Sequence, residues 1–219
     1  MRRPWDNVAT PQGVATHSLG NPDLYGCWIM QLNYFLYVKR DWRRDQRGLS
    51  EFLDYYRRLR HACRIVLFPE GTDLSDDNRR RSDRYAALRN LPCYEYVLHP
   101  RTTGWTALCS RSKEIGLKAV YDVTLAYDHP PQTEADMLLG RLPRHVHFFV
   151  KRYTAEALPE DDISLKNWLN DRWREKENNL KRFYTEGHFI DTSTNEVSQE
   201  RKPRSLRRAK IGFFVLDIY

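Results

Sequence analysis

The sequence predicts an α/β domain, a central mixed β-sheet flanked by helices, on three observations. An amphipathic stretch, Glu51–Ala62, runs straight into Arg64-Ile-Val-Leu-Phe68, a continuous apolar run of the kind buried on both faces of a sheet. Ala119–Tyr127 and Arg144–Tyr153 read as further strands, the second alternating Val146, Phe148 and Val150 against His145, His147, Phe149 and Lys151. Asp162–Tyr184 then reads as a long charged helix with Leu165, Trp168, Leu169, Trp173, Leu180 and Phe183 turned inward as core. Helices interleaved with strands in this way pack as layers around one sheet.

In chain order, residues 1–22 hold three prolines and two glycines with no sustained apolar period, and no element is assigned there. Trp28-Ile-Met-Gln-Leu followed by Tyr34-Phe-Leu-Tyr-Val38 reads as a short helix entering a buried strand that ends at Arg40-Asp41. Ser50 is placed to cap the helix over Glu51–Ala62, whose stripe is Phe52, Leu53, Tyr55, Tyr56 and Leu59. Pro69-Glu-Gly-Thr72 must turn at the carboxyl end of the Arg64–Phe68 strand, where α/β sheets gather their ligands. A polar loop, Leu74–Ser82, carries Asp76, Asp77 and Arg79-Arg-Arg81; a short helix over about Asp83–Arg89 and a longer one over Thr102–Ile115 follow.

The 219 residues suit a single domain. A hydrophobic share of 41% and an aromatic share of 13% are too high for a disordered chain. Lysine and arginine total 36 against 29 acids, a formal charge of +7 that predicts attraction to an anionic surface, nucleic acid or phospholipid. Cys27, Cys63, Cys93 and Cys109 form no CxxC pair and have no histidine at zinc-finger spacing, so buried thiols in a reducing compartment are expected. No run approaches the ~18 apolar residues of a membrane-spanning helix, and the first residues lack a signal-peptide core. The end of the chain differs: Ile211-Gly-Phe-Phe-Val-Leu-Asp-Ile-Tyr219 follows the basic run Arg201–Lys210 and reads as the entrance to a hydrophobic anchor. The expected organisation is therefore an irregular segment 1–24, a domain over 25–190, and a basic and apolar tail over 191–219.

Val66-Leu-Phe-Pro-Glu-Gly-Thr72 is the segment richest in chemical meaning. A carboxylate and a glycine at the end of a strand offer backbone amides and an acceptor to a ligand, although Pro-Glu-Gly-Thr alone is also an ordinary turn. The run Phe68-Pro-Glu-Gly-Thr72 resembles the substrate motif of the glycerolipid acyltransferases, enzymes that move an acyl group from acyl-CoA to a lysophospholipid hydroxyl. Asp73-Leu74, Arg81-Ser82, Tyr94-Glu-Tyr-Val-Leu-His-Pro-Arg-Thr-Thr-Gly104, Tyr127-Asp-His-Pro130 and Trp173-Arg-Glu-Lys-Glu177 resemble the branch that acts on lysocardiolipin and lysophosphatidylinositol. The likeness runs in consistent order from about Gly26 to Tyr184.

That resemblance implies a glycerolipid acyltransferase-like fold and a set of acceptor-binding residues. Arg40, ending Gly26–Arg40, is similar to the family's arginine for the acceptor phosphate, a role that suits a guanidinium fork, though it also reads as a solvated strand end. Phe68, Pro69, Glu70, Gly71 and Thr72 would form the acceptor-binding turn, and Pro100 with Arg101 resembles the family's fourth block; Pro100 also reads as strand-to-helix punctuation. Arg40 and Glu70 are expected to converge on one cleft. The resemblance further implies acyl-CoA as co-substrate with no resident cofactor, a membrane surface as the setting, no nucleic-acid partner, and the endoplasmic reticulum or another endomembrane as the location.

The family's chemistry rests on a histidine with an aspartate five positions later, the histidine taking the acceptor's hydroxyl proton and the aspartate orienting it. Five residues beyond His17, His61, His99, His129, His145, His147 and His188 stand Pro22, Val66, Gly104, Glu134, Val150, Arg152 and Ser193. Only Glu134 is acidic, and His129 lies after the Phe-Pro-Glu-Gly-Thr block, on the wrong side of it; His17 and Asp23 have the wrong spacing. The fold is thus expected to be N-terminally incomplete, with no catalytic residue assigned. A shortened or alternatively started chain, an error in the reading of the gene, and a true loss of catalysis all remain open. His145 and His147 could ligate a metal but lack a third ligand at recognisable spacing, so none is expected and they read as sheet-face residues. Arg79–Arg81 could meet a phosphorylated head group or stand as a solvated loop beside Asp76 and Asp77. The readings carried forward are a lysophospholipid acyltransferase, a catalytically dead relative that binds lipid or a partner, and, on charge alone, a nucleic-acid module, which lacks any recognition signature.

Overall fold

A computed structural model describes residues 42–59, 63–127, 139–140, 143–189 and 210–218. The chain divides into two compact units, with the boundary between Ala62 and Cys63. In the first unit the described element is α1 (Trp42–Leu59), which begins well before the expected Ser50 cap. Its stripe forms as the spacing requires: Leu53 is buried, and Phe52 and Tyr55 pack on Tyr56 at 4.8 and 5.8 Å between ring centroids. The expected helix and strand over Trp28–Val38, and Arg40 after them, lie outside the described residues.

The second unit runs β1 (Cys63–Leu67), α2 (Asp76–Leu88), α3 (Thr102–Glu114), β2 (Leu117–Tyr127), β3 (Val146–Thr154), one 3-10 turn over Ala155–Ala157, α4 (Asp162–Glu186) and β4 (Lys210–Ile218). The strand order is β1-β4-β2-β3. The α/β class holds, but among the described residues every hydrogen-bonded pair is antiparallel. β1 and β2 run in the same sense, and β4 lies between them in the opposite sense.

Register fixes the two faces of the sheet. One cross-strand row is Leu67, Phe214, Asp122 and Lys151, and the next is Val66, Val215, Tyr121 and Arg152. α3 and α4 cover the first face. Trp105 and Trp173 reach Phe214 at 4.9 and 5.4 Å, Trp168 stacks on Trp105 at 5.3 Å, and Phe183 meets His147 at 4.9 Å. Trp105, Leu165, Leu169, Trp173, Leu180, Phe183, Phe214 and Leu216 are fully buried there. α4 is set at both ends: Asp161 accepts from the Ser164 amide at 2.8 Å, and Gly187 closes the last turn in the left-handed region at φ 88°.

Two expectations change, and the face of β3 that the alternation left open is settled. β1 is first in the strand order rather than central, and its side chains alternate, with Arg64 and Val66 exposed while Ile65 and Leu67 are half-buried. On β3 the helix-facing side carries His147, Phe149 and Lys151, and Val146, Phe148 and Val150 face outward; Lys151 is drawn under α4 by Glu175, and Phe149 by Phe189 at 5.3 Å. The polar loop Leu74–Ser82 is helical from Asp76, because two acids at the amino end and three arginines after them suit the helix dipole and helix propensity.

The expected anchor entrance is β4, hydrogen-bonded to β1 on one side and β2 on the other. Nine residues with Gly212, Phe214, Leu216 and Ile218 buried satisfy two strand edges at once, and Asp217, the charge that interrupts the apolar run, meets Arg64 across the strands at 3.6 Å. Among the described residues no helix is long and apolar enough to cross a membrane.

Candidate functional site

The strand-end turn forms where β1 stops. The Gly71 amide donates to the Phe68 carbonyl at 3.0 Å, and Gly71 sits at φ +68°, a conformation that side-chain-bearing residues rarely adopt. A Cβ on Gly71 would meet the Cδ and Nε of Arg101 at 3.5 Å, an ordinary contact, so it is the backbone conformation that selects glycine. The Arg101 amide donates to the Pro69 carbonyl at 2.7 Å, so the segment before α3 lies against the turn. On the exit side the Asn78 amide nitrogen donates to Thr72 Oγ1 at 2.7 Å and to Asp73 Oδ1 at 3.0 Å, tying the turn to the first turn of α2. Phe68, Pro69, Glu70, Gly71, Thr72, Pro100 and Arg101 are therefore neighbours, with Pro69 and Pro100 buried and Phe68 and Arg101 exposed. Arg40, the remaining expected site residue, lies outside the described residues, as does its convergence with Glu70.

Glu70 does not point to solvent. Its Oε1 accepts from Trp173 Nε1 on α4 at 3.1 Å, and the Leu98 amide donates to the same carboxylate. Burial pushes its pKa up to about 7 against the two hydrogen bonds and the nearby Lys176 charge. The native pKa stands above the ordinary 4.5, so between those values the folded chain binds more protons than the unfolded one. Native stability should therefore fall as pH rises from 4.5 to about 7 and level off above. The Glu70 contribution to that fall is about 3 kcal/mol. Urea denaturation across that window, compared with Glu70→Gln, checks it: the amide keeps an acceptor for Trp173 and should flatten the slope, and an unchanged slope would assign the titration elsewhere.

Two more α4 side chains hold the surroundings in place. Lys176, 1% exposed, donates to the Val123 carbonyl at 2.8 Å and Thr124 Oγ1 at 3.1 Å and pairs with Asp122, all on β2. Burial pushes the Asp122 carboxyl up and the Lys176 ammonium down, each opposed by the partner's charge. The lysine reaches β2 by crossing β4 at Gly212, where a Cβ would come within 3.0 Å of Lys176 Cδ and 3.6 Å of Trp173 Cζ2. Glu177 accepts from the amides of Glu95, Tyr96 and Val97 at 2.7, 2.7 and 3.1 Å. Those residues lead through Leu98 to Arg101, so one helix fixes the turn, strand β2 and the segment that closes over the turn.

The sequence marks Trp173 as core, while Lys176, Glu177 and Asp122 carry no expected task. The signal was available: residues 173, 176, 177 and 180 share one face of a helix, which puts a lysine and a glutamate on the same inward stripe as Trp173 and Leu180. Charges at core positions imply buried partners.

The family description "Acyltransferase C-terminus" matches residues 136–212, which include β3, α4 and the start of β4. Lysocardiolipin acyltransferase 1 of Danio rerio is 45% identical over 72% of this chain and 41% of its own length. The Mus musculus protein of that name is 42% identical over 76% of the chain and 46% of its own length. Lysophosphatidylinositol acyltransferase 10 of Caenorhabditis elegans is 36% identical over 83% and 47%. The chain spans about half the length of the curated relatives it matches. No solved structure matches it. The fold, the strand-end turn and these likenesses together define an acyltransferase region. The chain belongs to the glycerolipid acyltransferase family, in the branch of the lysocardiolipin and lysophosphatidylinositol acyltransferases. The missing His-x-x-x-x-Asp block is in keeping with this partial coverage.

Proposed function

We propose that this region serves acyl transfer from acyl-CoA to a lysophospholipid hydroxyl, with an acceptor of the lysocardiolipin, lysophosphatidylinositol or 1-acylglycerol-phosphate kind. The observation that carries the reading is the Pro69–Thr72 turn, buttressed from below by Trp173 on Glu70 and flanked by Arg101. In this reading the turn and Arg101 offer backbone donors and a guanidinium to the acceptor, and Arg40 pairs with its phosphate. Glu70 acts on the acceptor through the shape of the turn, since both its hydrogen bonds run inward. The setting is an endomembrane surface such as that of the endoplasmic reticulum, and acyl-CoA is the co-substrate without a resident cofactor.

A second reading, a relative that binds lipid without turning it over, is favoured by the lack of a His-x-x-x-x-Asp pair in these residues. One pair of measurements separates the two. The chain is expected to bind a lysophospholipid in an equilibrium assay, with Arg40→Ala weakening binding by about 1.5–3 kcal/mol. Its acyl transfer is expected to be ~10²–10⁴-fold below that of full-length relatives for want of a general base. No acceptor binding would reject both readings; turnover near that of the relatives would exclude the second and point to an unassigned base such as His17.

A further inference from the structure

The arginine run on α2 divides its tasks. Arg79 turns inward and donates to the Glu95 carbonyl, and Arg80 pairs with Asp77 on its own helix. Arg81 and Arg84 stand exposed on the side opposite buried Ala86, and Arg89, just past the helix, lies over the Tyr85 ring at 4.8 Å. Among these cations protrude apolar groups that the fold does not cover. Leu88 is 86% exposed, the most of any large hydrophobic side chain among the described residues, with Tyr85 and Leu91 also exposed. The helix's acids are elsewhere: Asp76 and Asp77 at its amino end, and Asp83 half-buried on the side of His99.

We propose that the carboxyl half of α2, through Arg81, Arg84, Leu88 and Arg89, docks on an anionic phospholipid surface. Cations around an uncovered leucine match such an interface, where head groups are negative and the layer beneath is apolar. A nucleic acid would use the arginines but leave Leu88 and Leu91 in water. Asn78, on the same helix, holds Thr72, so docking brings the Pro69–Thr72 turn close to the layer that supplies a lysophospholipid; that consequence rests on the acyltransferase reading, whereas the docking itself does not.

The test is flotation of the full chain with vesicles of phosphatidylcholine alone and with about 30 mol % phosphatidylserine. The wild-type chain should float with the anionic vesicles only, and less at raised salt. The double variant Arg81→Gln/Arg84→Gln should lower partitioning about thirtyfold, and Leu88→Ser about tenfold. Both change exposed side chains, and an unaltered thermal unfolding curve confirms that the fold is kept. Absence of flotation by the wild type, or flotation of both folded variants equal to it, overturns the proposal. So does retention on duplex DNA that the arginine variant loses while flotation stays unchanged.

Discussion

Replacing Lys176 by methionine should destabilise the domain by about 3–5 kcal/mol, a large fraction of the stability of a domain of this size. The ammonium is the partner of Asp122 on β2, whose carboxyl is 7% exposed, and methionine would leave that carboxyl without its countercharge beneath two helices. The Val123 carbonyl and Thr124 hydroxyl lose their donor in the same change. Urea denaturation at neutral pH measures the loss. The double variant Lys176→Met/Asp122→Leu should recover much of it, because a buried pair replaced by apolar groups of similar volume is often neutral. A single variant within about 1 kcal/mol of wild type would mean that both groups of the pair are already in their neutral forms.

The second large effect is expected at Glu177. Its carboxylate accepts three consecutive backbone amides, and Glu177→Ala leaves all three without an acceptor in a place where the Val97 amide is buried. The cost should be about 3–4 kcal/mol. Glu177→Gln should fall between, since the carboxamide presents one oxygen and turns an N–H toward at least one amide donor. The readout beyond stability is amide hydrogen exchange at residues 95–98, which should quicken in both variants relative to α4 itself. Exchange that quickens equally throughout the unit would instead mean that Glu177 only adds to global stability.

The parts of the fold that announced themselves were those with a strong period. Asp162–Tyr184 was legible because its apolar residues recur at helical spacing, and Arg144–Tyr153 because they alternate. Which face of β3 turned inward was not legible, since Val146, Phe148 and Val150 look more buriable than His147 and Lys151 until Glu175 and Phe183 are in place. Ile211–Tyr219 misled for a related reason: a short apolar run has the same composition whether it enters a bilayer or fills a gap between two strands. The gap exists only once β1 and β2 have folded apart. At the site, the turn over Pro69–Thr72 is legible as a local object, whereas the contact of Arg101 with it is not. The inward aim of Glu70 depends on Trp173, more than a hundred residues away, and no local pattern carries such a pairing.

The place of β4 also has a consequence for biosynthesis. β1 is made first and β4 last within this unit, yet each stands beside the other in the sheet, and β2 gains its inner neighbour only when β4 arrives. During translation the ribosome would hold β4 while β1, β2 and β3 are already outside with two unpaired edges facing one another across a slot. Such long-range pairings are slow to form and leave aggregation-prone edges in the meantime. The unit therefore completes its sheet only after its last strand has been made, and until then the facing edges of β1 and β2 lack their partner.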